Sequence, residues 1–246
     1  MFDKHHKKEN PTFTGITRGV GGFGFGVATS DGGGGSLAED PLFISYKSGD
    51  GNNGIPMQQN AVVLDSQENL IIAGNIETKG HVVKLNSLGI RQWAAVFDVY
   101  TSEGYGTGDI AVDSLDNVYY CATTDVNGHN DLFLIKFNSS GVEQWQRSLG
   151  TSSYDRGYAV TTDSSDNVYI TGITANTGGW YWDCILAKYN SSGTLQWQRR
   201  LEGRDTTPTY NDGAHYVSGQ SLTTIVASDG YPAGILVSGN FRNYDH

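Results

Sequence analysis

Residues 158–174 read YAVTTDSSDNVYITGIT, and this stretch decides the fold. It is a strand-like run, a polar turn and a second strand-like run. Two earlier stretches repeat it, AVVLDSQENLIIAGN at 61–75 and DIAVDSLDNVYYCATT at 109–124. The turn-opening aspartates are Asp65, Asp113 and Asp163, and the matching asparagines are Asn69, Asn117 and Asn167. Asp and Asn side chains bond nearby backbone groups and tolerate left-handed φ, so each copy predicts a β-hairpin. Self-similarity at a fixed period is the signature of a repeat architecture.

A second half follows each copy. It reads HVVKLNSLGIRQWAAVF at 81–97, LFLIKFNSSGVEQWQRSL at 132–149 and CILAKYNSSGTLQWQRRL at 184–201. Lys84, Lys136 and Lys188 match, as do Asn86, Asn138 and Asn190, then Gly89, Gly141 and Gly193, then Trp93, Trp145 and Trp197. The Asn-to-Gly segment predicts another hairpin, with Gly supplying φ > 0. LFLIKF and CILAKY are nearly continuous apolar runs, as in strands buried on both faces. LQWQR alternates, with Leu195 and Trp197 on one side, which predicts a half-exposed outer strand.

Each unit therefore predicts one up-and-down sheet of four strands. The units fall at about 57–104, 105–155, 156–216 and an incomplete 217–246. Such sheets need cover on both faces. Stacking around an axis gives a β-propeller, and an open stack of the same sheets is the alternative. The expectation is an all-β, propeller-like array of four-stranded antiparallel blades, preceded by a glycine-rich arm at 1–40.

The repeats resemble the SBBP family of bacterial β-propeller repeats. Asn167, Val168, Tyr169, Ile170, Thr171 and Gly172 match the first part of its motif, and Asp183, Lys188, Gly193 and Trp197 match the rest. The likeness covers residues 41–246 and implies a propeller scaffold. The chain departs at Glu68, Asp116 and Asp166, where that family usually has Gly. This departure implies an altered turn but an unaltered hairpin.

The segment TRGVGGFGFGVATSDGGGGS at 17–36 has no strand or helix period, and glycine has the largest backbone entropy to lose. It reads as an arm ordered by a partner, with Phe23 and Phe25 as anchors, or as a flexible linker. Residues 12–36 are expected to lack regular structure. In the fourth unit Leu222 to Val226 predicts a first strand, and Gly234 to Phe241 a second. Asp245 then corresponds to Asp183, so the register places the Lys and Trp equivalents beyond His246. Leu42 to Tyr46, within PLFISYKSGDG, reads as a lone fourth strand able to close a ring.

A formal net charge of −10 speaks against nucleic-acid binding, which needs surplus Lys and Arg to replace phosphate counterions, and against an anionic membrane. MFDKHHKKEN is followed by no apolar run of the secretory type. Cys121 and Cys184 read as buried free thiols. The sequence carries no nucleophile elbow, P-loop, dinucleotide fingerprint or H-E-x-x-H, so no catalytic residue and no cofactor is expected. The D-S-x-x-N turns lack the oxygen ligands of a calcium loop, and no metal is expected there.

The best binding candidate is ANTGGWYWD at 175–183. Trp180, Tyr181 and Trp182 either stack on a sugar or protein partner, or fold back onto the sheet. The longer link at 203–216 reads as a second contact loop. The expected function is non-enzymatic. One reading is a virion structural protein, such as a bacteriophage decoration, fibre or tail component. In that reading the arm attaches to other virion proteins and the propeller displays a binding surface. The alternative is a bacterial surface or extracellular propeller that binds glycans or proteins.

Overall fold

The computed structural model describes residues 57–76, 79–98, 108–126, 129–175, 182–202, 215–225 and 234–243. Residues 1–56 lie outside this set, and with them Phe23, Phe25 and Leu42 to Tyr46.

Three four-stranded antiparallel sheets follow in chain order. The first is β1 (Met57–Leu64), β2 (Leu70–Ile76), β3 (Lys79–Leu85) and β4 (Arg91–Asp98). The second is β5 (Asp109–Val112), β6 (Val118–Val126), β7 (His129–Phe137) and β8 (Glu143–Leu149). The third is β9 (Asp155–Thr162), β10 (Val168–Ala175), β11 (Trp182–Tyr189) and β12 (Leu195–Leu201). A hairpin of β13 (His215–Ile225) and β14 (Gly234–Asn243) completes the described chain, touching β11 through one parallel pairing, Trp182 with Tyr216. The first strand of this fourth unit begins at His215, earlier than Leu222, because pairing with β14 runs from His215 through to Ile225.

The turns form as their side chains dictate. Asp65, Asp113 and Asp163 each accept backbone N–H bonds from the residues two and four ahead. Asn86, Asn138 and Asn190 do the same in the second hairpin. Gly89, Gly141 and Gly193 hold φ of 77°, 81° and 76°. Glu68, Asp116 and Asp166 also hold positive φ, at 62°, 59° and 59°. The turn keeps the conformation that glycine suits best, although no glycine is there.

Registers repeat as the sequence requires. Trp93, Trp145 and Trp197 lie opposite Lys84, Lys136 and Lys188, and a bulge follows each pair. Along the middle sheet the side-chain period of two splits the core. Tyr120, Ala122, Phe133, Ile135 and Phe137 pack with Ile71, Ala73 and Val82 of the first sheet. Tyr119, Cys121, Leu132 and Leu134 pack with Val160, Val168, Ile170 and Ile185 of the third. β7 is buried on both faces from Leu132 to Phe137, whereas β8 and β12 are mostly exposed outer strands with their Trp half-buried. The architecture is thus all-β, a consecutive stack of sheets. Ring closure is not seen among the described residues.

Candidate functional site

The polar residues that repeat along the chain converge on the seams between sheets. Lys84 Nζ and Trp93 Nε1 both donate to the Ser139 carbonyl, at 3.4 and 3.0 Å. Lys136 Nζ and Trp145 Nε1 donate to the Ser191 carbonyl in the same way, at 3.1 and 3.2 Å. The indole of Trp93 lies over Gly141 and that of Trp145 over Gly193, so closely that a Cβ on either glycine would collide with the ring. The second hairpin of each following sheet is therefore gripped by a Lys–Trp pair of the sheet before it.

The first hairpin is gripped from the other direction. Ser66 donates its N–H and its hydroxyl to Asp116, at 2.8 and 2.7 Å. Ser114 donates both groups to Asp166, at 2.9 and 3.0 Å. Two carboxylates at positive φ thus carry the contact from one sheet to the next.

Electrostatics fix the first hairpin within each sheet. Lys84 pairs with Asp65 at 2.7 Å, both side chains being nearly inaccessible. Burial alone would raise the Asp65 pKa, but the Lys84 ammonium and the Asn69 donors override it and hold the carboxyl at about 2. Burial opposes ionisation of Asp113 and Asp163 too, and bonds from Asn117 and Tyr119, or Asn167 and Tyr169, again hold them low. Lys136 and Lys188 stand 4.9 and 5.0 Å from the ring centres of Tyr119 and Tyr169. Cys121 and Cys184 are buried free thiols whose pKa burial pushes up, the opposite of what a nucleophile needs.

The other end of the strands holds the binding candidate. Trp180 and Tyr181 lie outside the described residues. Trp182 opens β11, is half-buried, and carries the Arg156 guanidinium 5.3 Å from its ring centre. One ring face is therefore occupied by a cation of its own chain. Asp183, beside it, is buried and accepts from Arg200 Nε at 2.6 Å and from Nη2 of the same guanidinium. Asp155 is fully buried and takes the N–H and hydroxyl of Thr151. Sequence reading did not select Asp155 and Asp183 together, because they meet on one face only once β9 and β11 both pair with β10, each opposite Thr174; Arg156 lies on the other face with Trp182. Among the described residues no three His, Cys, Asp or Glu side chains form a metal-binding cluster.

A family described as haemagglutinin repeat matches residues 28–90 and 150–199, together less than half of the chain. The second match covers nearly all of the third sheet. The middle sheet falls outside both matches, although its residues repeat the same register. No curated protein matches the chain.

Proposed function

We propose that this chain is a non-enzymatic, adhesion-like structural repeat module, exposed at a surface or secreted, whose stacked sheets display a binding end to glycan or protein partners. The observation that carries this reading is the use of the repeat itself. Lys, Trp and Ser recur in the repeat, and in the first and second sheets their polar groups bond the sheet that follows, where Asp116 and Asp166 receive the Ser bonds. Such a design yields a rigid, extendable scaffold. The likeness to haemagglutinin repeats supports an adhesive setting, and the raised thiol pKa values support a role without nucleophilic chemistry.

Two finer statements belong to the same proposal. The stack is an arc of a β-propeller, as the resemblance to SBBP repeats implies. The display surface is that of a virion, with residues 1–40 attaching to other virion proteins through Phe23 and Phe25. This second statement rests on the glycine–phenylalanine composition of the arm alone. Neither nucleic acid nor a membrane is a partner, given the net charge of −10.

Immunogold labelling of unpermeabilised producing cells, and of particles released by lysis, tests the reading. Label on the outer face of cells or particles is the expected result, and its position on one or the other separates the two settings. Label confined to the cell interior would overturn the proposal.

A further inference from the structure

The hairpin β13–β14 stands on the third sheet as the third stands on the second. Gly157 of β9 comes up against Cys121, and Gly219 of β13 comes up against Thr171 in the same way. Cys121 and Thr171 are equivalent, each four residues after the turn asparagine. Among the described residues this fourth unit has two strands, where each of the other three has four.

The outer part of the third sheet shows the difference. Phe97 and Leu149, each four residues past the repeated Trp, pack into the seams beneath the following sheet. Leu201 is their equivalent on β12, and it is 51% exposed. The side chains of Lys136 and Asp113 are 9% and 1% exposed, but those of Lys188 and Asp163 are 23% and 22% exposed. Among the described residues Lys188 Nζ and Trp197 Nε1 bond no carbonyl of a following turn. A groove of about 200 Å³ lies between β12 and β14. Cys184, Leu201 and Val237 give it apolar walls, and the buried Ser218 Oγ on its lining has no partner. Among the described residues β14 pairs only with β13, so its other edge of backbone N–H and C=O groups is open. From Gly234 to Asn240 it carries neither the charge nor the proline that guards an edge against pairing.

We propose that this groove docks a β-hairpin of a partner protein, with one strand paired to the open edge of β14 and an Asn-x-x-Gly turn seated on Lys188 and Trp197. The two filled seams define that chemistry. In each, the ammonium and the indole N–H converge on the carbonyl of the residue after Asn, and the Gly passes under the indole. A second copy of this chain does not fit. Each of its described Asn–Gly hairpins belongs to a whole sheet, whose first two strands would run into β13 and β14. Strand addition of this kind draws affinity from main-chain bonds and specificity from the side-chain contacts. The inference stands apart from the adhesive role proposed above.

Fluorescence anisotropy tests it, with the full chain as receptor and a labelled peptide of residues 132–149, LFLIKFNSSGVEQWQRSL, as the hairpin. Saturable binding is expected, together with slower exchange of the Trp197 indole N–H. Trp197→Phe keeps a ring and loses the N–H, and Leu201→Glu puts a charge into the groove at an exposed position. Each should weaken binding at least several-fold while circular dichroism still reports β-structure. Gly141→Val in the peptide should abolish binding, because a Cβ there strikes the indole that covers the turn. Absence of saturable binding would overturn the proposal, and so would binding that ignores both Trp197→Phe and Leu201→Glu. Slow Trp197 exchange that grows with chain concentration, without peptide, would give the groove to a second copy and overturn it too.

Discussion

Asp116 carries two jobs that pull against each other. Its φ of 59° suits glycine, and an L-residue there costs about 1–2 kcal/mol. Its carboxylate accepts two bonds from Ser66 of the preceding sheet, which repay that strain. Asp116→Ala keeps the strain and removes two hydrogen bonds to a carboxylate, so it should destabilise by about 1–3 kcal/mol in urea unfolding. Asp116→Gly relieves the strain and should cost about 1 kcal/mol less than the alanine variant. Equal stability of the two variants would show that the backbone is not strained there. Asp65 makes a second residue-scale test. Its carboxyl titrates at about 2 when folded against 3.8 ordinarily. A depressed folded value means the ion pair contributes fully above the ordinary value, and that contribution is lost as pH falls from about 4 through 2. Asp113 and Asp163 are shifted in the same direction. Stability should therefore drop over that acid window, and Lys84→Met should flatten part of the drop. These roles were half legible in the sequence. Asp65 and its equivalents announce the turn, but nothing local tells that Ser66 reaches an acid fifty residues on.

At the scale of strands, the hairpins and their registers were legible because each turn type demands particular residues, and the chain writes those demands three times. The length of β13 was not legible. Residues 215–221 are rich in Gly and Ser and lack an alternating pattern, yet β14 pairs along their whole length. A bulge at Gly219 accommodates them. The third sheet has a matching irregularity where Gly172 meets Gly157. Built onto Gly172, a Cβ would meet the Arg156 carbonyl, and on Gly239 the Ser218 carbonyl, both well inside contact distance. Backbone cannot yield as a side chain can. Gly172→Ala and Gly239→Ala should each destabilise by about 3 kcal/mol or more. Gly234→Ala, where a Cβ would meet nothing within 4 Å, should be nearly silent. Chemical denaturation of the three variants decides this, and a silent Gly172→Ala would mean the bulge is misplaced.

At the scale of the described molecule, the sheets stack in chain order, and the first and second each grip the next through the same clamp. Length, charge and the 52-residue spacing of the tryptophans made the repeat visible. The groove beside β14 was invisible, since Cys184, Leu201, Ser218 and Val237 come from four strands. The clamp separates the three repeated tryptophans into two kinds. Trp93 and Trp145 donate their indole N–H to Ser139 and Ser191 of the following sheet. Trp197 packs on Tyr169 at 6.0 Å between ring centres and lies 5.6 Å from the Arg199 guanidinium, and among the described residues its indole N–H has no acceptor. Hydrogen exchange of the indole N–H groups, followed by NMR with each signal assigned from its Trp→Phe variant, tests the stack most directly. Slow exchange is expected for Trp93 and Trp145 and fast exchange for Trp197. Fast exchange of all three would contradict it, because the sheets would then not be clamped in this order.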